Sequence, residues 1–222
     1  MITVTEEWNL DGPTNMARDA ALLRLAEEGQ GSCRVYSWNG AWISLGNMQR
    51  ADRDLLPTNP VPWVMRPTGG KAVLHGHDVT VGLAVPLAQI ARNGVSVEQL
   101  SRSVKTVYRW VAGPIVEALN ACGVRAKLAE ETVFVKSAGK TADCFAHIAP
   151  NDIVDERLGI KVCGCALRLT SSAVLVQASI PNGQPLVDPR LIFAQPSVLA
   201  APKWPAIEFA ESLEKAINNR LR

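Results

Sequence analysis

The chain has 222 residues, of which 20% are charged and 47% apolar, with a formal net charge of +2 at pH 7. That length and composition suit one domain with a buried core and exclude disordered and fibrous classes, while a charge so small, without a Lys/Arg run, excludes a nucleic-acid footprint. Five cysteines, an odd number, read as free thiols in a reducing compartment rather than as a disulfide frame.

Residues 1–8 lack the basic start and apolar stretch of a secretory signal, so a cytoplasmic protein is expected. Thr14 or Asn15 caps a first helix on which Met16, Ala20, Leu23 and Ala26 recur at helical spacing until Gly29 and Gly31 stop it. Residues 33–38 and 41–45 are rich in β-formers and flank Asn39-Gly40, a type I′ turn signal, which predicts a hairpin. A strand over 61–66 precedes a glycine-bearing segment. Another follows over 79–85, where Val79, Val81, Leu83 and Val85 alternate with smaller residues. The longest apolar stretch, 81–91, is about half a bilayer span and holds Pro86 and Gln89, so no membrane segment is expected.

Ser96-Val97-Glu98-Gln99 is a capping box for one long helix carrying Leu100, Val104, Val107, Val111, Ile115 and Leu119 on a single face, with a bend expected at Pro114. Residues 129–151 have no clear periodicity, and a loop of that length inside a compact domain is usually functional. It contains Cys144. Strands over 124–128, 161–169 and 174–180 follow, the last two joined by Thr170-Ser171-Ser172, and Trp204-Pro205 opens a final helix.

Arg66-Pro67-Thr68-Gly69-Gly70-Lys71-Ala72-Val73-Leu74-His75 lies between two strands, where glycines let backbone approach a ligand closely. It matches neither the Walker nor the dinucleotide pattern, and as bare composition it is only a turn. As a string it resembles the Arg-Arg-x-x-Gly-Gly-x-Ala-Val-x-His signature of the biotin/lipoate protein ligase and octanoyltransferase superfamily. The resemblance extends to Asn15-Met16-Ala17-Arg18-Asp19, Tyr36-x-Trp38, Ser44-Leu45-Gly46-x-x-Gln49, Lys161-Val162-Cys163-Gly164 and Gln177-Ala178-Ser179-Ile180-Pro181. It implies an α/β (α+β) fold of the class II aminoacyl-tRNA synthetase-like type, a mixed, mostly antiparallel sheet packed with helices. One domain over 1–222 is expected, with its core at about 12–183 and a tail and helix over 184–222.

Within the superfamily, the Gly69-Gly70-Lys71 form of the loop, the segment Gly76-His77-Asp78-Val79-Thr80 and the pair Cys144-Phe145 ahead of Lys161 resemble the octanoyltransferases whose cysteine sits in a separate loop. That resemblance implies Cys144 as nucleophile and Lys161 as the cation that keeps its sulfur ionised; the spacing permits this pairing without requiring it. Arg66, Gly69, Gly70, Lys71, Ala72, His75, Val162, Gly164 and Ser179 are the candidate substrate-binding residues. Val73, Ala84 and Val162 are expected to hold the alkyl tail, and backbone N–H groups beside Lys161 to Gly164 to hold the oxyanion.

The implied donor is an octanoyl acyl carrier protein. The implied acceptor is a lipoyl-domain protein, such as glycine-cleavage H protein or a dehydrogenase E2. No cofactor is expected for a transferase; the alternative, a ligase working through an acyl-adenylate, needs ATP and Mg2+, and a third reading is a non-catalytic binder of acyl or lipoyl-domain partners. No metal site is expected: Cys163 and Cys165, which strand alternation puts on Lys161's face, and His75 and His77 lack further ligands.

Overall fold

A computed structural model of the chain describes residues 1–91, 94–135, 141–197 and 201–222. The alternating and continuous apolar runs build two sheets. The larger has seven strands in the order β1 (Val4–Leu10), β2 (Ser32–Trp38), β6 (Asp78–Pro86), β10 (Ala173–Pro181), β9 (Ile160–Leu169), β8 (Ile153–Asp155) and β7 (Ala126–Leu128). Only the β1–β2 pair is parallel. The smaller sheet places β3 (Trp42–Leu45) between β4 (Trp63–Met65), parallel, and β5 (Val73–His75), antiparallel.

On one face of the large sheet, α5 (Val104–Ala121) and α6 (Phe209–Leu221) bury Val107, Val111, Ile115, Leu213 and Ile217 against Val81, Leu83, Val174 and Val176. Against the other face lies α1 (Gly12–Glu27), whose Leu23 and Ala26 pack on Ala84 and Leu175. Glycine at position 82 of β6 is needed there, because a Cβ would lie 2.5 Å from Asp19 Oδ1 of α1. Short helices α2 (Ala51–Asp54), α3 (Leu87–Ile90) and α4 (Val97–Ser101) fill the connections. The small sheet has its own core, in which Ile43, Leu45 and Leu74 meet Ile192 and Phe193 of the proline-rich connection, residues 182–208, between β10 and α6.

Four expectations are corrected. Residues 33–38 and 41–45 do not form a hairpin: β2 is flanked on both edges by β1 and β6, and β3 joins the other sheet. A type I′ turn needs positive φ at both central positions, but Gly40 has it (76°) and Asn39 does not. The single helix expected from Ser96 to Leu119 is two, because Ser103 accepts from Thr106 N and opens α5 anew. The first helix is capped by Asp11, with Pro13 in its first turn, rather than by Thr14 or Asn15. The last helix begins at Phe209, not at Trp204, whose indole instead donates to Pro181 O.

Candidate active site

The site is set by an irregularity in β9. Ile153 pairs with Cys163 and Val154 with Lys161, so one residue, Val162, has no partner across the ladder. This is a β-bulge, which resets the alternation of side chains. Val162 and Cys163 both enter the core on the α5 side. Lys161 and Gly164 share the opposite side, where a Cβ on residue 164 would stand 3.2 Å from both Cys144 Sγ and Lys161 Cε. The expectation that Cys163 and Cys165 share Lys161's face is therefore corrected, as is the use of Val162 to line a pocket. Ala84, expected beside it, is also turned away, into the core under α1.

Cys144 opens a single 3₁₀ turn, Cys144–Ala146, with Asp143 capping it through Phe145 N. Backbone pairing pins this turn to the glycine loop: Ala72 N donates to Ala142 O (2.8 Å) and Cys144 N to Ala72 O (2.9 Å). The second Asp143 oxygen accepts from Ser197 N at 2.6 Å. The Gln49 amide joins the same assembly, accepting from Gly46 N and donating to Ala142 O.

Lys161 and Cys144, seventeen positions apart in sequence, are in contact. Lys161 Nζ donates to Cys144 Sγ at 3.3 Å and to Cys144 O at 2.8 Å. Its remaining proton goes to Asp152 Oδ2 at 2.9 Å, and the two charged side chains are only 3% and 8% exposed. Burial alone would depress the Lys161 ammonium, but the Cys144 sulfur and the Asp152 carboxylate outweigh it and raise its pKa. Lysine here is thus held as a cation. Asp152 is held in turn by Ala149 N at 2.7 Å.

Behind Cys144 lies a pocket of about 400 Å³, with Met16, Trp38, Val73, Ala166 and Ala178 among its walls, and Cys144 and Gly164 at one side. Its polar lining groups are bonded to one another. Arg66 donates to Ser44 O, Thr68 Oγ1, Gly69 O and Lys71 O, and so knits the glycine loop closed; burial pushes its pKa down to about 10. His75, stacked on Trp38 with ring centroids 4.0 Å apart, bonds Asp78 through Nδ1 and Ser44 through Nε2, both at 2.7 Å. Asp78 Oδ2 also accepts from Ser179 and Thr80. Gln177 links Thr68 to Asp19, which pairs with Arg34. With its polar atoms so engaged, the pocket presents a largely apolar interior that suits an alkyl chain.

The candidate residues therefore divide by position. Cys144, Arg66, Gly70, His75, Gly164 and Ser179 border the pocket, as does Val73. Ala72 is buried behind it and acts through its backbone, and Gly69 and Lys71 offer Arg66 their carbonyls. Sequence reasoning missed Asp152, Asp78, Asp143 and Asp19. Of these, Asp152 stood in a Pro-Asn-Asp run and Asp78 beside its partner His75, whereas Asp19 and Asp143 meet Arg34, Gln177 and Ser197, partners remote in sequence that nothing local announces. Cys163 is enclosed, and burial pushes its thiol well up. Cys165 lies 3.5 Å from it, and its pKa is lowered by that hydrogen bond, not by a cation in contact. Among the described residues no cluster of His, Cys, Asp and Glu is fit to hold a metal.

Known proteins resemble this chain in sequence and in fold. The model of the lipoyl protein ligase A/B catalytic domain matches residues 11–186. The octanoyltransferase LipM of an Exiguobacterium species is 32% identical over 189 residues, 81% of this chain and 64% of its own length. That of Lysinibacillus sphaericus is 30% identical over 177 residues, 75% and 60% respectively. The chain thus spans about three-fifths of the length of these curated relatives. Among solved structures, a Thermoplasma acidophilum protein with bound lipoic acid, provisionally described as a lipoate protein ligase, superposes with a TM-score of 0.73 at 16% identity, covering 99% of this chain and 85% of that one. A lipoate-protein ligase A bound with ATP gives 0.67 at 16% identity, covering 99% and 86%. At such identities the likeness is one of fold, the mixed sheet with helices described above. The family match, by contrast, extends over most of the sequence: the chain belongs to the lipoyl protein ligase A/B catalytic domain family.

Proposed function

We propose that this protein is an octanoyltransferase of lipoate assembly, carrying an octanoyl group on Cys144 from an acyl carrier protein to a lysine of a lipoyl-domain protein. The observation that supports it above others is the contact of Lys161 Nζ with Cys144 Sγ, beside a pocket with an apolar interior. The names of the 32% and 30% identical relatives favour the same reading.

In the first half-reaction Cys144 Sγ, in contact with the Lys161 ammonium, loses its proton and attacks the thioester carbon of the donor. The bond from that carbon to the donor sulfur breaks, and the donor leaves as a thiol carrying the proton that Cys144 gave up. In the second, the neutral amine of the acceptor lysine attacks the Cys144 thioester. Nitrogen loses a proton to solvent as the amide forms, and the thiolate returns to its place beside Lys161. Because Asp152 and Cys144 hold Lys161 protonated, it acts as an electrostatic partner and not as the base. The N–H groups of Cys144 and Phe145 are already engaged, by Ala72 O and Asp143, and are not free to hold the oxyanion.

The acceptor is a lipoyl domain of the glycine-cleavage H protein or dehydrogenase E2 class, and the transfer runs without a cofactor. Incubation with octanoyl carrier protein followed by intact-mass and peptide spectrometry should show one octanoyl group on Cys144, removable by hydroxylamine and lost in Cys144→Ala. Product formation that requires ATP, Mg2+ and free acid, with no acyl-enzyme, would replace this reading by the ligase one. Lipoyl-domain binding without any mass change would replace it by the non-catalytic one.

A further inference from the structure

We propose that a second cavity, on the outer side of the Cys144–Lys161 pair, is the subsite for the thiol arm of the donor: a pantetheine-type chain of neutral amides, the arm shared by acyl carrier proteins and coenzyme A. This rests on the transferase reading above. The cavity is walled by Lys161 of β9, Phe145 of the 3₁₀ turn, His77 after β5, and Phe193 and Ser197 of the connection between β10 and α6. Cys144 and Gly164 border the inner pocket, whereas their neighbours Phe145 and Lys161 border this one. The reactive pair is therefore the partition between two cavities. A thioester has two limbs that diverge from its carbonyl carbon. When that carbon lies at Cys144 Sγ and the alkyl limb enters the inner pocket, the sulfur-side limb is directed to the other side of the partition.

The lining selects for a neutral ligand. Lys161 has all three protons committed to Cys144 and Asp152. The carboxyl oxygens of Asp143 already accept from Phe145 N at 2.9 Å and Ser197 N at 2.6 Å, and burial raises its pKa, so this group offers no strong negative charge to the cavity. Burial depresses the pKa of His77, which keeps its imidazole uncharged at neutral pH, and its Nδ1 has no hydrogen-bond partner. An uncharged imidazole is a partner for an amide; proline and phenylalanine faces suit methylene and methyl groups. No arginine, and no lysine other than Lys161, is among the described residues that line the cavity, which argues against a polyphosphate there. The outer wall is fixed to the nucleophile's loop, since Ser197 N reaches Asp143 and Thr141 Oγ1 donates to Gln195 O at 2.6 Å.

Ser197→Trp tests this, because it fills the cavity with a side chain while keeping the backbone N–H that Asp143 needs. Acyl-enzyme formation is measured with three donors: octanoyl carrier protein, octanoyl coenzyme A, and octanoyl-N-acetylcysteamine, whose arm ends after one amide. The expected result is a fall of about tenfold or more in the rate with both pantetheine donors, a change within about twofold for the truncated donor, and unaltered alkylation of Cys144 by iodoacetamide. Equal loss with all three donors, or no loss with any, overturns the subsite. Loss with the carrier protein alone shows that the cavity reads a protein surface and not the arm, and also overturns it. A wild-type protein that forms no acyl-enzyme from any of the three fails the transferase reading itself, a distinct result that removes the basis of the subsite.

Discussion

Replacing Lys161 with methionine removes the ammonium that lies 3.3 Å from Cys144 Sγ and 2.9 Å from Asp152 Oδ2. Two consequences of different origin follow. At an effective dielectric of about 20, an ion pair at that sulfur distance is worth at most about 5 kcal/mol, and the opposing field of Asp152 cancels part of it. If half survives, its loss slows attack by the Cys144 sulfur by about a hundredfold. The second consequence concerns the fold. Asp152, almost fully enclosed, is left as an unpaired buried carboxylate, at a cost of about 3–5 kcal/mol, which for a chain of this size lowers the melting temperature by roughly 6–20 °C. The two effects separate in a double variant. Adding Asp152→Asn to Lys161→Met removes the stranded charge and keeps an acceptor for Ala149 N, so most of the stability should return. Reactivity should not. Iodoacetamide alkylation of Cys144 at pH 7, followed by mass spectrometry, should be slow in both variants, with melting curves reporting the recovery of fold. A double variant that melts near wild type and alkylates at the wild-type rate would show that the ammonium does not activate the sulfur.

Three further substitutions probe the scaffold. Gly164→Ala places a methyl 3.2 Å from both Cys144 Sγ and Lys161 Cε, so the pair must part by a few tenths of an ångström; acylation of Cys144 should drop by about tenfold with little change in melting temperature. Gly82→Ala drives a methyl into Asp19 Oδ1, and calorimetry should show an overpacking loss of about 1–3 kcal/mol. Asp78→Asn tests pH linkage. Burial alone would raise the Asp78 carboxyl, but His75, then His77 and the Ser179 hydroxyl, outweigh it and hold it well below its ordinary value of 3.8. The folded state thus binds fewer protons at this group than the unfolded one, so its contribution is complete above pH 3.8 and is lost as pH falls below it. The variant should be less stable than wild type at pH 7 by about 1–3 kcal/mol, and the gap should narrow at pH 3; a gap that widens on acidification refutes the assignment.

Periodicity is enough to find the elements that bury a continuous face: α1, β6, β9 and β10 lie close to where their apolar spacing puts them, and α5 ends near its expected end but starts later. It failed where pairing partners decide. β1 was unread because Thr5, Glu6 and Glu7 look like a polar leader, and they form a strand only because β2 offers a parallel edge. Asn39-Gly40 promised a hairpin, but a local turn preference of a few residues yields to the ladders that β2 makes with both β1 and β6. The glycine loop and the Cys144–Lys161 pairing were reached by resemblance, since nothing in their spacing requires contact.

The bulge in β9 explains why the site was harder to read than the fold. Strict alternation from Lys161 puts Cys163 and Cys165 on its face and Val162 and Gly164 on the other. One unpaired residue reverses this beyond position 162, sends Val162 and Cys163 into the core and leaves Lys161 and Gly164 facing the nucleophile. The same step places the ammonium against Asp152, which stands immediately before β8, the strand against which the bulge is formed. The irregularity in pairing and the assembly of Cys144, Lys161 and Asp152 are thus one structural feature. A substitution that restored regular pairing between β8 and β9 would be expected to separate Lys161 from Cys144 while leaving every other strand in register.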